Sequence, residues 1–285
     1  MKVCRCLLPV FLVLLPVLAS AGEVRLKPET VVDGGTAVLR WTGPVPAVGV
    51  VRFRDQIIYL YPDPAGAVAL LPVPLGTADG TYPVTGAIVD PQGGSTPFQQ
   101  HLTVRRQERP LEKLTLPEAM VSPRAPAVLD RISREAGRLK KLFTGTSERR
   151  WKEFVRPVDD PVSSVFGKQR LLNGKPRAPH SGTDFRSPIG TPVRAFSTGR
   201  VVLTEELFYT GKTVVLDHGE GLFSIYAHLS SSLVMPEELV AVGSVIGKVG
   251  SSGRSTGPHL HLSVRLLETR VDPLLLLQIF QAHGS

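Results

Sequence analysis

The chain has 285 residues, of which 42% are hydrophobic and 20% charged, and its formal net charge at pH 7 is +8. A chain of this length is more consistent with two domains than with one. Its two cysteines, Cys4 and Cys6, lie close to the first residue, so the remainder of the chain can form neither disulfide bonds nor zinc sites with thiolate ligands.

Residues 1–21 have the composition of a secretory signal peptide. Lys2 and Arg5 precede an unbroken apolar run over residues 7–18, and Ala-Ser-Ala follows it. This order predicts cleavage after Ala21 and export of the protein, either to a periplasm or to the extracellular space and cell wall. The apolar run is shorter than the ~20 residues that a membrane-spanning helix needs, so we expect no stable membrane insertion after cleavage.

Cleavage would remove two positive charges and no negative one, which lowers the net charge from +8 to +6. This charge fits either solubility or attraction to an anionic polymer outside the cell, such as the cell wall. Export argues against nucleic acid as a partner. The sequence leaves the oligomeric state open.

Residues 22–107 predict a small antiparallel β-sandwich with an immunoglobulin-like outline. Short alternating or β-branched runs are separated there by turn residues such as Asp33-Gly34-Gly35 and Asp79-Gly80. Several short strands at this spacing are typical of such sandwiches. The segment contains no cluster of metal ligands, and His101 stands alone, so we interpret this domain as a binding or spacing module.

Residues 108–150 predict a linker with one amphipathic helix. The segment LPEAMVSPRAP is interrupted by prolines, and the segment AVLDRISREAGRLKKLF follows it. Apolar residues recur in the second segment at intervals of three and four, the period of one helical face. The basic residues between them indicate a solvated opposite face. The predicted apolar face consists of Val128, Leu129, Ile132, Ala136, Leu139 and Phe143.

Residues 151–285 return to strand patterns, now with histidines. In the segment GPHLHLSV, His259, His261 and Ser263 alternate with apolar residues, so their side chains share one side of a strand. In the segment PHSGTDFRSPIG, His180 and Asp184 are four residues apart. Prolines and glycines disfavour a helix there, and in an extended chain both side chains again point the same way.

A third segment, LFSIYAHLS, repeats the alternation. Ser224, Tyr226 and His228 alternate with apolar residues, so we predict that all three lie on the polar face of one strand. We interpret Tyr226 as either a groove wall or an ordinary sheet residue. His218, in the segment LDHGEG, is interpreted as structural.

Two imidazoles and one carboxylate around a dication leave a net charge of about +1 and one open coordination position, the composition of a catalytic zinc site. Water at that position can have its pKa lowered to about 7. Hydrolysis also needs a base and a donor to the developing oxyanion, and the two remaining histidines can supply both. Spacing alone does not decide which of His259 and His261 is the ligand, because side chains two apart on a strand can both reach one metal.

The motifs HSGTD, YAHLS and TGPHLHLSV, in this order, resemble the three signatures of the lysostaphin/LytM-type zinc peptidases, enzymes that cut peptides of bacterial peptidoglycan. The resemblance covers roughly residues 155–273 and includes GTPVRAFSTGRVV and GSVIGKVGSSGRSTGPHLH. It implies that His180, Asp184 and His261 hold one zinc ion per chain. It also implies that His228 and His259 are catalytic histidines outside the metal's coordination.

These observations predict a mainly β protein with an immunoglobulin-like sandwich at 22–107, a helical linker at 108–150 and a C-terminal antiparallel β-sheet peptidase domain with a zinc groove at 151–285. The predicted function is that of an exported zinc metalloendopeptidase that hydrolyses amide bonds in the stem peptides or cross-bridges of peptidoglycan. The alternative is a catalytically inactive relative that binds the cell wall and regulates an amidase. The sequence leaves open which amide bond is cut and which histidine is the general base.

Overall fold

The computed structural model describes residues 22–282, in which strands predominate. This confirms the prediction of a mainly β fold. The predicted signal peptide, residues 1–21, lies outside the described residues. Within 22–282, no helix combines the length and the hydrophobicity that crossing a membrane requires.

The N-terminal strands form a sandwich whose two layers are joined by one long strand. Its strands are β1 (Glu23–Lys27), β2 (Thr30–Val32), β3 (Thr36–Thr42), β4 (Val48–Phe53), β5 (Gln56–Asp63), β6 (Gly66–Pro72), β7 (Gly80–Val89) and β8 (Ser95–Arg105). They are hydrogen-bonded in the order β1-β3-β6-β5-β4-β7-β8-β2. Strand β5 turns the corner, because residues 56–60 pair with β4 and residues 61–63 pair with β6. The predicted immunoglobulin-like sandwich is thereby confirmed.

The linker carries more regular structure than the sequence predicted. Its elements are strand β9 (Leu111–Leu114), the short helix α1 (Glu118–Val121) and helix α2 (Pro126–Phe143). The predicted helix is present as α2, but only Phe143 of its apolar face is fully buried, and Leu129 is 47% exposed. Helix α2 therefore packs on the rest of the protein mainly through its last turns.

The C-terminal part is built on one antiparallel sheet. Its elements are β10 (Val162–Ser164), β11 (Gln169–Leu172), β12 (Lys175–Arg177), β13 (Thr183–Phe185), β14 (Pro192–Arg194), β15 (Gly199–Leu207), β16 (Gly211–Gly219), β17 (Leu222–Ser232), β18 (Leu239–Val240), β19 (Val245–Val249), β20 (Leu260–Leu266), β21 (Thr269–Val271) and α3 (Pro273–Ala282). The sheet runs β10-β13-β20-β17-β16-β15-β18, with β19 on β17, β14 on β19 and β21 on β20. As the alternation in GPHLHLSV predicts, Leu260, Leu262 and Val264 point to the buried face.

The buried face of this sheet shares its hydrophobic core with the N-terminal sandwich. Val38, Val68 and Leu70 of the sandwich belong to the same buried cluster as the apolar residues of β20. The Trp151 ring lies 5.3 Å from that of Phe280 on α3 within this cluster. Burial of each large apolar side chain is worth roughly 1.5–3 kcal/mol, so the two parts stabilise each other.

The opposite face of the sheet carries α2. Phe143 packs there against Phe223 with ring centroids 5.3 Å apart, in a cluster that includes Leu203 and Leu207 of β15. Arg138 of α2 also makes two hydrogen bonds to the Glu205 carboxylate, at 2.8 and 2.7 Å.

A separate three-stranded sheet joins the linker to the C-terminal part. Strand β9 pairs in parallel with β11, and β12 completes the order β12-β11-β9. Leu116, Val121 and Leu172 form a buried cluster between the linker and β11. The sequence did not predict β9, because its partner strand lies more than fifty residues away and four residues of LEKL carry no strong alternation.

Candidate metal centre

Asp184 and His261 lie directly opposite each other on neighbouring antiparallel strands. Asp184 is the central residue of β13, and its register partner in β20 is His261. The Nδ1 atom of His261 is 2.6 Å from Oδ1 of Asp184. The Nε2 atom of His180 is 3.0 Å from that oxygen and 3.0 Å from Nδ1 of His261. The structure therefore brings together the three side chains that the resemblance assigns to zinc.

Contacts outside this cluster orient two of its members. Nδ1 of His180 donates to the carbonyl oxygen of Val165 at 3.0 Å, so Nε2 carries the lone pair that faces the cluster. The second carboxylate oxygen of Asp184, Oδ2, accepts a hydrogen bond from Nη2 of Arg170 at 3.1 Å. Oδ1 is consequently the oxygen that faces the two imidazoles.

The protonation states of Asp184 and His261 suit metal binding. Burial alone would raise the pKa of Asp184, but its contacts with His180 and His261 outweigh burial and hold this pKa well below the ordinary value. Burial lowers the pKa of His261, although the hydrogen bond to Asp184 opposes the effect. An ionised carboxylate and a neutral imidazole are the forms that bind metal ions.

The ligand atoms of the cluster fit a zinc ion. One atom from each of His180, Asp184 and His261 lies within 4.8 Å of the other two. Two imidazole nitrogens and one carboxylate oxygen are typical zinc ligands, whereas Mg²⁺ and Ca²⁺ prefer oxygen ligands. Asp184 and His261 also line a surface groove, so one side of the cluster is open to a substrate.

A β-bulge in β17 turns His228 towards the cluster. The register of β17 with β16 shifts at Thr213, which two residues of β17, Ala227 and His228, oppose. Bulges of this kind re-aim a side chain, and His228 has a left-handed φ of 61°. Its Nδ1 donates to the carbonyl oxygen of Ser252 at 2.8 Å. Its ring centroid lies 6.0 Å from that of His261.

The prediction that Ser224 and Tyr226 share the face of His228 is wrong. Both are fully buried, and the Tyr226 hydroxyl accepts hydrogen bonds from the N–H of Phe196 at 2.6 Å and from the Ser224 hydroxyl at 2.9 Å. Because the bulge inserts one residue, the alternation of faces is inverted between Tyr226 and His228. Tyr226 is thus a core residue and no groove wall.

His218 belongs to the same buried network as Ser224 and Tyr226. Its Nε2 lies 2.7 Å from the Ser224 hydroxyl, and its Nδ1 lies 2.8 Å from the carbonyl oxygen of Thr198. Burial lowers the pKa of His218 to about 4. The network supports the interpretation of His218 as a structural residue.

His259 reaches the cluster from the chain just before β20. Its Nδ1 donates to the carbonyl oxygen of Gly257 at 2.9 Å, and its Nε2 lies 3.9 Å from Oδ1 of Asp184. The ring centroids of His228 and His259 are 4.7 Å apart. In both residues a backbone carbonyl holds the Nδ1 proton, so Nε2 is the atom that can accept a proton. Burial, reinforced by the neighbouring imidazoles, lowers the pKa of His228 to about 3.

Asp184, His228, His259 and His261 line one groove with a volume of about 780 Å³. Helix α2 contributes Ile132, Glu135 and Leu139 to its wall. The N–H of Phe208 donates to the Glu135 carboxylate at 2.9 Å, which fixes this part of α2 to the chain after β15. The linker therefore forms part of the surface that a substrate would meet.

Replacing Gly182 by alanine should weaken zinc binding without removing a ligand. An added Cβ would lie 2.3 Å from the carbonyl oxygen of Leu262 and 2.9 Å from the His261 ring, so β13 and β20 would have to separate. We expect zinc affinity to fall at least ~10-fold, as it does when ligand orientation is disturbed. Competition with a chromophoric chelator measures the effect. Gly137→Ala is the control, since its Cβ meets open space, and equal affinities of the two variants would contradict the expectation.

Arg170 contacts the cluster and was not predicted from the sequence. This residue lies in β11, and its guanidinium contacts both Oδ2 of Asp184 at 3.1 Å and Oε2 of Glu112 at 2.9 Å. Basic residues such as those in the segment GKQRLLNGK are usually solvated. No spacing in the sequence connects Arg170 to the motif HSGTD. The signal that reveals it is the pairing of β9 with β11, which only the folded chain shows.

A buried His–Asp–His cluster beside a β-sheet groove, with two further imidazoles close to it, is the arrangement expected of a metal-dependent hydrolase. The model of the family described as "Peptidase family M23" matches residues 178–273 of this chain. A solved structure of a peptidase M23 from Pseudomonas aeruginosa is 30% identical and covers 86% of this chain and 94% of its own, with a TM-score of 0.65. The chain belongs to peptidase family M23, which confirms the resemblance found in the sequence motifs.

Curated relatives are similar over the same C-terminal part. The peptidoglycan DD-endopeptidase ShyA of Vibrio cholerae is 47% identical over 108 residues, 37% of this chain and 25% of that protein. The DD-carboxypeptidase/endopeptidase Mpg of Neisseria meningitidis is 43% identical over 95 residues, 33% of this chain and 22% of that protein. The match thus spans a quarter or less of these two relatives.

Proposed function

We propose that the protein is an exported zinc metalloendopeptidase that hydrolyses amide bonds in peptidoglycan. The observation that carries the proposal is the convergence of His180, Asp184 and His261 beside a groove that Asp184 and His261 line together with His228 and His259. The name of the relative ShyA supports peptidoglycan as the substrate. The term DD in the names of ShyA and Mpg supports a bond between D-amino acids as the one cut.

The proposed division of labour follows from the positions of the ring nitrogens. Zinc, when bound, supplies water of lowered pKa and a polarised scissile carbonyl. Nε2 of one of the two histidines His228 and His259 accepts the proton of the attacking water and returns it to the leaving amine. The other would first take up a proton from solvent on its Nε2, and as an imidazolium it would donate a hydrogen bond to the developing oxyanion. The backbone carbonyls of Ser252 and Gly257 keep both rings aimed at the reacting atoms.

The charge of the groove supports a substrate that carries carboxylates. Arg177 and Arg254 line the groove with Arg170, and within residues 22–282 neither Arg177 nor Arg254 has a carboxylate at salt-bridge distance. Arg254 lies over the Tyr209 ring at 4.3 Å, where partial burial makes an unpaired charge costly. A stem peptide with free carboxylates fits such a groove better than an uncharged cross-bridge.

Digestion of purified cell walls by the full-length protein tests the proposal. We expect zinc-dependent release of fragments whose masses identify the cleaved amide, and no release by His261→Ala. Cleavage between D-amino acids of stem peptides would support the proposed substrate, and cleavage confined to an uncharged bridge would contradict it. Intact walls after treatment with the zinc-loaded wild-type protein would contradict the enzymatic function.

The alternative of an inactive regulator of an amidase is not favoured. Proteins of that kind usually lack some metal-site residues, whereas all five positions are occupied here by the residue types that the M23 resemblance implies. The proposal of export rests on the signal-peptide pattern of residues 1–21. Processed protein recovered outside the cytoplasm should begin at Gly22, and unprocessed protein that stays in the cytoplasm would contradict export.

A further inference from the structure

We propose that Glu112, a residue of the linker, is a positioning residue for the metal ligands and acts through Arg170. Glu112 lies on β9, and Arg170 is its direct register partner on β11. The inference rests on the proposed zinc function. It assigns part of the metal site to a segment that precedes the family's matched region, residues 178–273.

The three charged groups form one chain of contacts. Nε of Arg170 donates to Oε2 of Glu112 at 2.9 Å, and Nη2 of the same guanidinium donates to Oδ2 of Asp184 at 3.1 Å. Both contacts use one planar group, whose donors have a fixed relative geometry. The position of Glu112 therefore sets the angle at which Arg170 holds Asp184.

Burial makes this chain more than a surface ion pair. The side chains of Glu112, Arg170 and Asp184 are 17%, 21% and 10% exposed. Burial alone would raise the pKa of Glu112, but the Ser164 hydroxyl and the charges of Arg170 and Lys168 outweigh it and lower this pKa. Two of these partners also contact proposed metal ligands, since Arg170 donates to Asp184 and the Ser164 hydroxyl lies 3.3 Å from Nδ1 of His180.

Removal of the Glu112 charge acts on the metal site in two ways, both unfavourable to zinc. The Nε donor of Arg170 loses its ionic acceptor, so the guanidinium becomes freer to turn and Asp184 is held less firmly. The positive charge of Arg170 also loses a neighbouring compensating charge, and an uncompensated cation close to a bound dication repels it. Loss of such an orienting partner typically costs 10–100-fold in metal affinity.

The competing explanation is that Glu112 only fastens the linker to the C-terminal part. Glu118 provides a matched control for this explanation. Its carboxylate also belongs to the linker and pairs with Lys175 of β12 at 2.8 Å and with Asn173 at 3.1 Å. This pair fastens the same small sheet but has no contact with a metal ligand.

The test compares zinc dissociation constants of the full-length protein and its variants by competition with a chromophoric chelator. We expect Glu112→Gln to weaken zinc binding at least ~10-fold and Glu118→Gln to leave it within about twofold of wild type. Adding Glu112→Gln to Arg170→Gln should cause little further loss if the effect passes through Arg170. Circular dichroism of the zinc-free proteins verifies that each variant is folded.

The outcomes separate this inference from the proposed function. If wild-type protein takes up no zinc, the proposed function fails and the inference with it. If wild-type protein binds zinc and folded Glu112→Gln binds it equally tightly, the inference alone is overturned. Equal losses in the Glu112 and Glu118 variants would assign Glu112 a fastening role, and full additivity with Arg170→Gln would exclude the route through Arg170.

Discussion

Replacing His261 by alanine should abolish both zinc uptake and hydrolysis. The substitution removes one of three proposed ligands and leaves the buried Asp184 carboxylate without its 2.6 Å partner. Disturbing only an orienting partner of a ligand costs 10–100-fold in metal affinity. The loss of a ligand itself should therefore exceed ~100-fold.

Elemental analysis of the dialysed protein and chelator competition measure the zinc content and affinity. Wild-type protein stripped with chelator should regain activity when zinc is added, and His261→Ala should not. His101→Ala is the control, because His101 is exposed on β8 of the N-terminal sandwich. A His261→Ala variant that keeps one equivalent of tightly bound zinc would refute the assignment.

The convergence of His180, Asp184 and His261 could be anticipated from the sequence in part because Asp184 and His261 obey strand geometry. Asp184 and His261 sit at the centres of alternating or extended segments, and each projects from its strand as period two requires. Recognition of HSGTD, YAHLS and TGPHLHLSV supplied what geometry left open. The resemblance assigned the metal to His261 and not to His259. In the structure, Nδ1 of His261 lies 2.6 Å from Oδ1 of Asp184, and Nε2 of His259 lies 3.9 Å from it.

The face of β17 could not be predicted from its sequence. The segment LFSIYAHLS alternates from Phe223 onwards, so period two assigns Tyr226 and His228 to the same side. The bulge arises from the pairing with β16, where Thr213 meets two residues instead of one. Such a shift depends on the partner strand and on hydrogen bonds such as that from the N–H of His228 to the carbonyl of Thr210 at 2.8 Å, which are long-range and leave no local pattern.

The contribution of the linker to the metal site could not be predicted from the sequence for a related reason. Helix α2 could be predicted from its apolar periodicity, because the residues on one face of a helix are three and four positions apart. Strand β9 is stabilised by pairing with residues 169–172, and Glu112 gains its buried partners only through that pairing. Local sequence therefore predicts elements whose contacts are local and misses charged residues whose contacts are distant.

Replacing His228 or His259 by alanine should reduce turnover at least ~100-fold while leaving zinc bound. The contacts of 2.6 and 3.0 Å that join His180, Asp184 and His261 involve neither His228 nor His259. We therefore expect the three proposed ligand atoms to remain in place in both variants. Each histidine is proposed to act on the proton or the oxyanion, and loss of one oxyanion donor costs on the order of 3 kcal/mol. General acid–base catalysis contributes a comparable ~10²–10⁴-fold.

Steady-state turnover on a defined cross-linked peptide, normalised to zinc content, measures the effect. The expected pattern is the reverse of that for His261→Ala, since activity is lost and metal is retained. Because the two histidines act on the same transition state, the double variant should be far less impaired than the product of the single effects. A single variant with near-normal turnover would exclude that histidine from catalysis, and loss of zinc from either variant would place it among the ligands instead.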